Sequence, residues 1–216
     1  MKWLLVTVGL WTCVVGRDVL PNLDLLVDDI LVLVRKNIPD KIRIPDLYTK
    51  WNFKWTLFDV AGQCHCNRGE LCSLKSLKRA DSAEMSASQE TTLITSKLKM
   101  QKLAFQFRTC YFNAKNWVSV SRKVKVKIDN NSIGVSILLT HDETNCQAAI
   151  KRVVIDKFGD LQLETNGGPL ADLDVKMYQW LTKYFRDKVK PILEKDLTYS
   201  FRYALQKYNL CAKMEE

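Results

Sequence analysis

Histidine is nearly absent from this 216-residue chain: His65 and His141 are the only two. A three-histidine metal site is thereby excluded, and a catalytic triad has few starting points. Glycine (8) and proline (5) are scarce, which excludes collagen-like and low-complexity chains. Past residue 16 no stretch approaches the run of apolar residues that a membrane-spanning helix needs. The chain has no Gly-x-Ser-x-Gly elbow, no His-Glu-x-x-His, no phosphate loop and no dinucleotide fingerprint. Asp142 and Glu143 follow His141, but no nucleophile stands beside them. The expectation is a non-enzymatic protein without metal or cofactor. What is present is enough for a folded core, since 47% of residues are hydrophobic. Lysine and arginine (33) outnumber aspartate and glutamate (24), a formal charge of +9 that favours anionic partners.

Lys2 precedes an apolar run from Trp3 to Val15 that ends Val14-Val15-Gly16. The run is shorter than the ~20 residues of a bilayer span and carries small residues where a signal peptidase cuts. It predicts a secretory signal over residues 1–16 and one mature domain over 17–216; a buried N-terminal strand is the alternative. Secretion argues against nucleic acid as a partner. Cys13 leaves with the signal, so Cys64, Cys66, Cys72, Cys110, Cys146 and Cys211 remain. An even number in an oxidising compartment predicts disulfides, although sequence does not choose the pairing. Cys64-His65-Cys66 with Cys72 also looks like a zinc cluster, but matched C-x₂₋₄-C pairs are missing. Asn130-Asn131-Ser132 is a glycosylation sequon in a predicted turn, with Asn130 the acceptor.

Leu23 to Lys36 reads as a helix with Asn22 as N-cap, and Leu25, Val32 and Leu33 widen its apolar stripe enough to predict cover on more than one side. From Asp174 to Tyr208 an apolar stripe runs for about 50 Å of helix, kinked at Pro191. A rod of that length needs an equally long partner. Alternating strands supply it: Val118 to Ile128, a turn at 129–132, Ile133 to Leu139, then Ala148-Ile150-(Arg152)-Val154 and Leu161–Leu163. A phase slip between Leu98-Met100 and Leu103-Phe105-Phe107 predicts a bulge. The fold expected is α+β: a strongly twisted antiparallel half-barrel around a long C-terminal helix, with a second helix at the N-terminus. Lys123, Lys125 and Lys127 lie on the outward face of the best strand, either as a basic stripe for an anionic surface or as protection of an exposed edge.

This order of elements resembles the mite group 7 allergens. The likeness rests on Ile44-Pro45-Asp46, Ser73-Leu74-Lys75-Ser76-Leu77-Lys78-Arg79, Asn166-Gly167-Gly168 and the last helix. Those arthropod proteins belong to the tubular lipid-binding superfamily, with the bactericidal permeability-increasing protein, the lipopolysaccharide-binding protein, and the insect takeout and juvenile-hormone-binding proteins. The six cysteines depart from the cysteine-poor group 7 pattern; a Cys110–Cys146 bridge would match a pair in the wider superfamily. The resemblance implies an apolar tube holding a lipid or other hydrophobic small molecule. The strand residues expected to line it are Phe105, Phe107, Val124, Val126, Ile137 and Leu139. Met177, Trp180, Leu181, Tyr184 and Phe185 would line it from the helix. The basic charge adds an anionic membrane surface or lipopolysaccharide as a partner. The competing reading is an extracellular interaction protein with a filled core, binding an anionic glycan or microbial envelope through its basic surface.

Overall fold

The computed structural model describes residues 22–55, 58–88, 90–114, 118–141, 145–159, 161–165 and 171–215. The expected signal segment, Asp142 and Glu143, and Asn166-Gly167-Gly168 lie outside the described residues. Helix α1 (Leu23–Asn37) starts where expected, with the Leu25 N–H donating to Asn22 Oδ1 at 3.3 Å. Its Leu26, Val27, Ile30, Leu31 and Val34 are buried. Leu25 and Val32 are exposed, so cover on a second side does not hold for them: the i, i+3, i+4 stripe alone faces protein.

Strands β1 (Lys41–Ile44) and β2 (Leu47–Trp55) pair in succession along one edge of β3 (Phe58–Cys72). Pro45 and Asp46 separate them, as a residue without an N–H breaks a ladder. Strands β4 (Leu77–Arg79) and β5 (Glu84–Ala87) likewise share one edge of β6 (Thr91–Met100). Then come β7 (Ala104–Ala114), β8 (Val118–Ile128), β9 (Asn131–His141), β10 (Cys146–Phe158) and β11 (Leu161–Thr165). The first sheet has the order β1-β3-β7-β8-β11 with β2 beside β3; the second is β10-β9-β6-β4 with β5 beside β6. All the described pairings are antiparallel.

The two sheets are halves of one bent hairpin. β6 runs into β7 through residues 101–103, and β8 runs into β9 through 129–130. Register is kept across the bend: Ala104 faces Lys127 on one side and Leu98 faces Ile133 on the other. Asn131 holds the two crossings together. Its Oδ1 accepts from the Met100 N–H (2.7 Å) and its Nδ2 donates to the Met100 carbonyl (2.8 Å). The phase slip after Met100 is therefore this bend between sheets rather than a bulge within one strand. True irregularities lie elsewhere, between Phe107 and Cys110 in β7 and at Ile150/Arg152 and Ile155/Lys157 in β10. The β10 shifts turn Ile155 into the core and leave Arg152 exposed.

Helix α2 (Ala171–Tyr184), a π-helical turn (Phe185–Val189) and α3 (Lys190–Lys207) form the long C-terminal rod, followed by α4 (Leu210–Glu215). The Lys190 N–H reaches back to the Phe185 carbonyl, five residues away. The wide turn sits just before Pro191, which has no N–H and would crowd the carbonyl of residue 187 in a regular helix. α3 packs against α1 and β10, while α2 meets β11. Arg79 ties α1 to β4: its guanidinium donates to both Asp28 oxygens (3.1 and 3.0 Å) and pairs with Asp24 at 2.8 Å. These bonds, led by that to Asp28, raise the Arg79 pKa further.

Candidate functional site

An aromatic cluster fills the angle between the first sheet and the rod. In β7, alternation sends Phe105 and Phe107 inward, with ring centroids 6.1 Å apart and nearly perpendicular. Val126 and Val124 stand opposite them in β8. From the rod, Phe185 lies 5.6 Å from Phe105, and Tyr184 lies 5.7 Å from Phe107. Glycine is required at Gly69 in β3, because a Cβ there would meet Ile44 Cγ1 at 2.6 Å and Phe107 Cε1 at 2.8 Å. The Tyr184 hydroxyl donates to the Pro45 carbonyl. Burial, and then the Asp46 carboxylate, push the Tyr184 phenol up.

The half-barrel is open where β10 ends and β11 begins; these strands follow one another but belong to different sheets. A cleft of about 330 Å³ occupies this seam against the rod. Ile155, Phe158 and Leu161 form one wall, and Tyr178, Thr182 and Phe185 the other. Phe158 stacks on Phe185 with centroids 3.8 Å apart, so the cleft floor continues into the aromatic cluster. Arg186, Lys190 and Asp156 also line it, and Arg186 pairs with Asp187 at 3.1 Å. Lys190 pairs with Glu194 at 3.7 Å, and Glu194 accepts from the Ile155 N–H at 2.7 Å, where β10 loses its regular ladder.

Nine of the eleven expected lining residues are buried: Phe105, Phe107, Val124, Val126, Ile137, Leu139, Leu181, Tyr184 and Phe185. They do not form one wall, because Ile137 and Leu139 are in β9 of the second sheet. Trp180 is half-buried at the margin of the core, and the Met177 side chain lies outside the described residues. Sequence reasoning missed Ile155, Leu161, Tyr178, Arg186 and Lys190, and took Phe158 only for a turn residue. The β10 register shifts bring Ile155 and Phe158 to the cleft, and the packing of the rod against β10 and β11 brings Tyr178, Arg186 and Lys190 there, which local sequence spacing does not encode.

The cysteines correct the expectation of a full set of bridges. Cys66 bonds Cys110 directly across the β3–β7 ladder, and Cys146 bonds Cys211, fastening β10 to α4. The implied Cys110–Cys146 bridge is absent, since those residues lie in different sheets and each has its own partner. Cys64 and Cys72 are free thiols. Opposite Cys64 in the ladder is Phe112, and opposite Cys72 are Ala104 and Lys41, so neither faces another cysteine across the sheet. Burial pushes the Cys64 thiol up to about 12. The Cys72 thiol is raised as well, first by burial. His65 points outward while Cys64 and Cys66 point inward, so strand alternation separates the would-be zinc ligands. Among the described residues no three histidine, cysteine or acidic side chains converge on a metal-sized site.

Lys123 and Lys127 are exposed and Lys125 is half-buried on the outer face of β8. β7 flanks this strand on one side and β11 pairs with Val124–Ile128 on the other, so Lys125 and Lys127 do not guard an edge. Asn130 is exposed at the bend, with φ 49°.

Residues 22–203 match the family described as Group 7 allergen. The chain belongs to the group 7 allergen family. No curated protein matches it in sequence. Among solved structures, the chain is similar to the crystal structure of lipopolysaccharide binding protein, with a TM-score of 0.45 and 14% identity over 87% of its own length. It spans only 38% of that protein. Takeout 1 of Epiphyas postvittana is similar with a TM-score of 0.42 and 14% identity, over 87% of this chain and 94% of that one. The described residues contain no helix long and apolar enough to cross a membrane.

Proposed function

We propose that the protein is a secreted, non-enzymatic binder of an anionic amphiphile, whose alkyl chain enters the seam cleft and whose head group meets Arg186 and Lys190. The observation that carries this reading is the cleft itself: an open slot with Ile155, Phe158, Leu161 and Phe185 on its walls that adjoins the Phe105–Phe107–Phe185 cluster and carries two cations and one carboxylate. At roughly 30 Å³ per water-sized group, it takes about ten heavy atoms. Burying that many methylenes contributes ~8 kcal/mol gross, before the losses of association. A longer chain requires the Phe158 ring to leave Phe185. Secretion is supported by the signal-like first sixteen residues and by two disulfides. Asn130 is then positioned to carry a glycan.

The test is fluorescence titration with a carboxylate series from octanoate to palmitate, together with native mass spectrometry of the secreted protein. Saturable binding that strengthens with chain length, and that Leu161→Trp abolishes by filling the slot, is the expected result. Absence of saturable binding across the series, or binding indifferent to Leu161→Trp, overturns the reading.

A further inference from the structure

A second cavity, of about 610 Å³, lies on the outer face of the first sheet, away from the seam. Five cations line it, Lys41, Arg43, Arg68, Arg108 and Lys123, against one carboxylate, Glu70. Glu70 is already engaged by Lys41 at 3.8 Å and by the Gln106 amide at 3.1 Å. Among the described residues, no carboxylate pairs with the head groups of Arg43, Arg68, Arg108 or Lys123. Like charges on neighbouring strands repel, so this grouping costs stability unless an anion enters it.

Backbone irregularities help to build the grouping. Between the Gly69–Phe107 and Asn67–Thr109 pairs lie Arg68 and Arg108, and Arg68 has φ 52°. The left-handed turn is steadied by the Asp46 carboxylate, which accepts from the Arg68 N–H at 3.2 Å. A non-glycine residue held there is costly, and on the other side of β7 the register shift against β8 between Phe107 and Cys110 re-aims Arg108. Farther along the same strands, Tyr48, His65 and Tyr111 stand side by side in register. Tyr48 is 57% exposed and Tyr111 51%. The Tyr48 and His65 rings meet edge to face, with centroids 6.3 Å apart.

We infer that this outer face binds an anionic saccharide, its sulfate or phosphate esters held by Arg43, Arg68, Arg108 and Lys123 and a sugar ring resting on Tyr48 and Tyr111. Planar guanidinium forks suit tetrahedral oxyanions, and exposed aromatic faces suit the C–H face of a pyranose. A saccharide fits better than a bilayer. The cations line a recess, and the neighbouring exposed side chains are tyrosines rather than aliphatic wedges suited to hydrocarbon. The site is independent of the seam cleft.

Calorimetry at about 0.15 M salt provides the test. The probes are a heparin hexasaccharide, its desulfated counterpart, a phosphorylated dextran oligomer, and vesicles of phosphatidylglycerol and phosphatidylcholine. An R43Q/R108Q pair is expected to weaken binding of the ester-bearing chain by about tenfold or more. A K97Q/R152Q pair on the second sheet, with the same loss of charge, is expected to change it less than about twofold. Tyr111→Ser is expected to lower affinity without altering the salt dependence, and Leu161→Trp to leave it unchanged. Binding of either ester-bearing chain with this pattern supports the site, and the preferred probe identifies the ester. Equal losses in both double variants, equal binding of the desulfated chain, or capture by vesicles without capture of either oligosaccharide overturns it.

Discussion

The bent hairpin gives the molecule two halves of similar backbone and opposite character. Inside the first sheet the core is aromatic, with Phe105, Phe107, Tyr184 and Phe185 in ring contact. Inside the second it is aliphatic, with Ile94, Leu98, Ile133, Val135, Ile137 and Leu139 buried. Outside, the contrast is in charge. The cavity over the first sheet has five cations and one carboxylate. The cavity over the second has Lys97 and Arg152 against Asp81, Glu84 and Asp156. The surplus of +9 is therefore unevenly shared between the faces. Large flat rings pack with fewer adjustable contacts than branched aliphatics, and the cleft opens beside them at the seam.

The sharpest way to break this comparison is to remove bulk from each core. Phe107→Ala is expected to cost about 3–5 kcal/mol in urea unfolding, against about 0.5–1.5 kcal/mol for Ile137→Val. A similar loss for both would mean that the aromatic half is loosely packed. The disulfides divide the same way. Loss of either costs about 2–4 kcal/mol, but Cys66 and Cys110 are buried whereas Cys146 and Cys211 are half-buried. Mild reductant under native conditions should open Cys146–Cys211 first, as read by mass mapping of alkylated peptides.

Two glycines sharpen the contrast further. A Cβ at Gly134 in the second sheet would meet the Asp156 carboxylate at 2.7 Å, a side-chain end that can swing away. At Gly69 it would meet the packed Ile44 and Phe107 side chains. Gly69→Ala is expected to cost about 1–3 kcal/mol, and Gly134→Ala less, by thermal unfolding. Smallest is the phenol of Tyr184. It keeps its proton to higher pH when folded than when unfolded, so its contribution is intact below the ordinary value of 10.0 and is lost as pH rises above it. Tyr184→Phe should cost about 1 kcal/mol at neutral pH through the lost bond to Pro45 and flatten the alkaline limb of the stability curve.

Periodicity made the architecture legible, because inward faces recur every second residue in strands and at threes and fours in helices. The buried residues of α1 and β9, and Val124, Val126 and Ile128 of β8, follow it. Where register shifts, the pattern misleads: Arg152 reads as an exception on an inward face, yet the β10 bulges place Val153 and Ile155 there instead. The cysteine pairing was equally hidden, since six thiols in a sequence say nothing about which strands become neighbours.

The chain alone determined which faces are apolar, where the caps and breaks fall, and how long the rod must be, since each follows from local spacing and the chemistry of single residues. Only the tertiary structure decided where the half-barrel opens, which thiols meet, and that Arg43, Arg68, Arg108 and Lys123 share one recess. Those outcomes depend on strand order and bulges, which bring together residues as many as eighty positions apart in the chain.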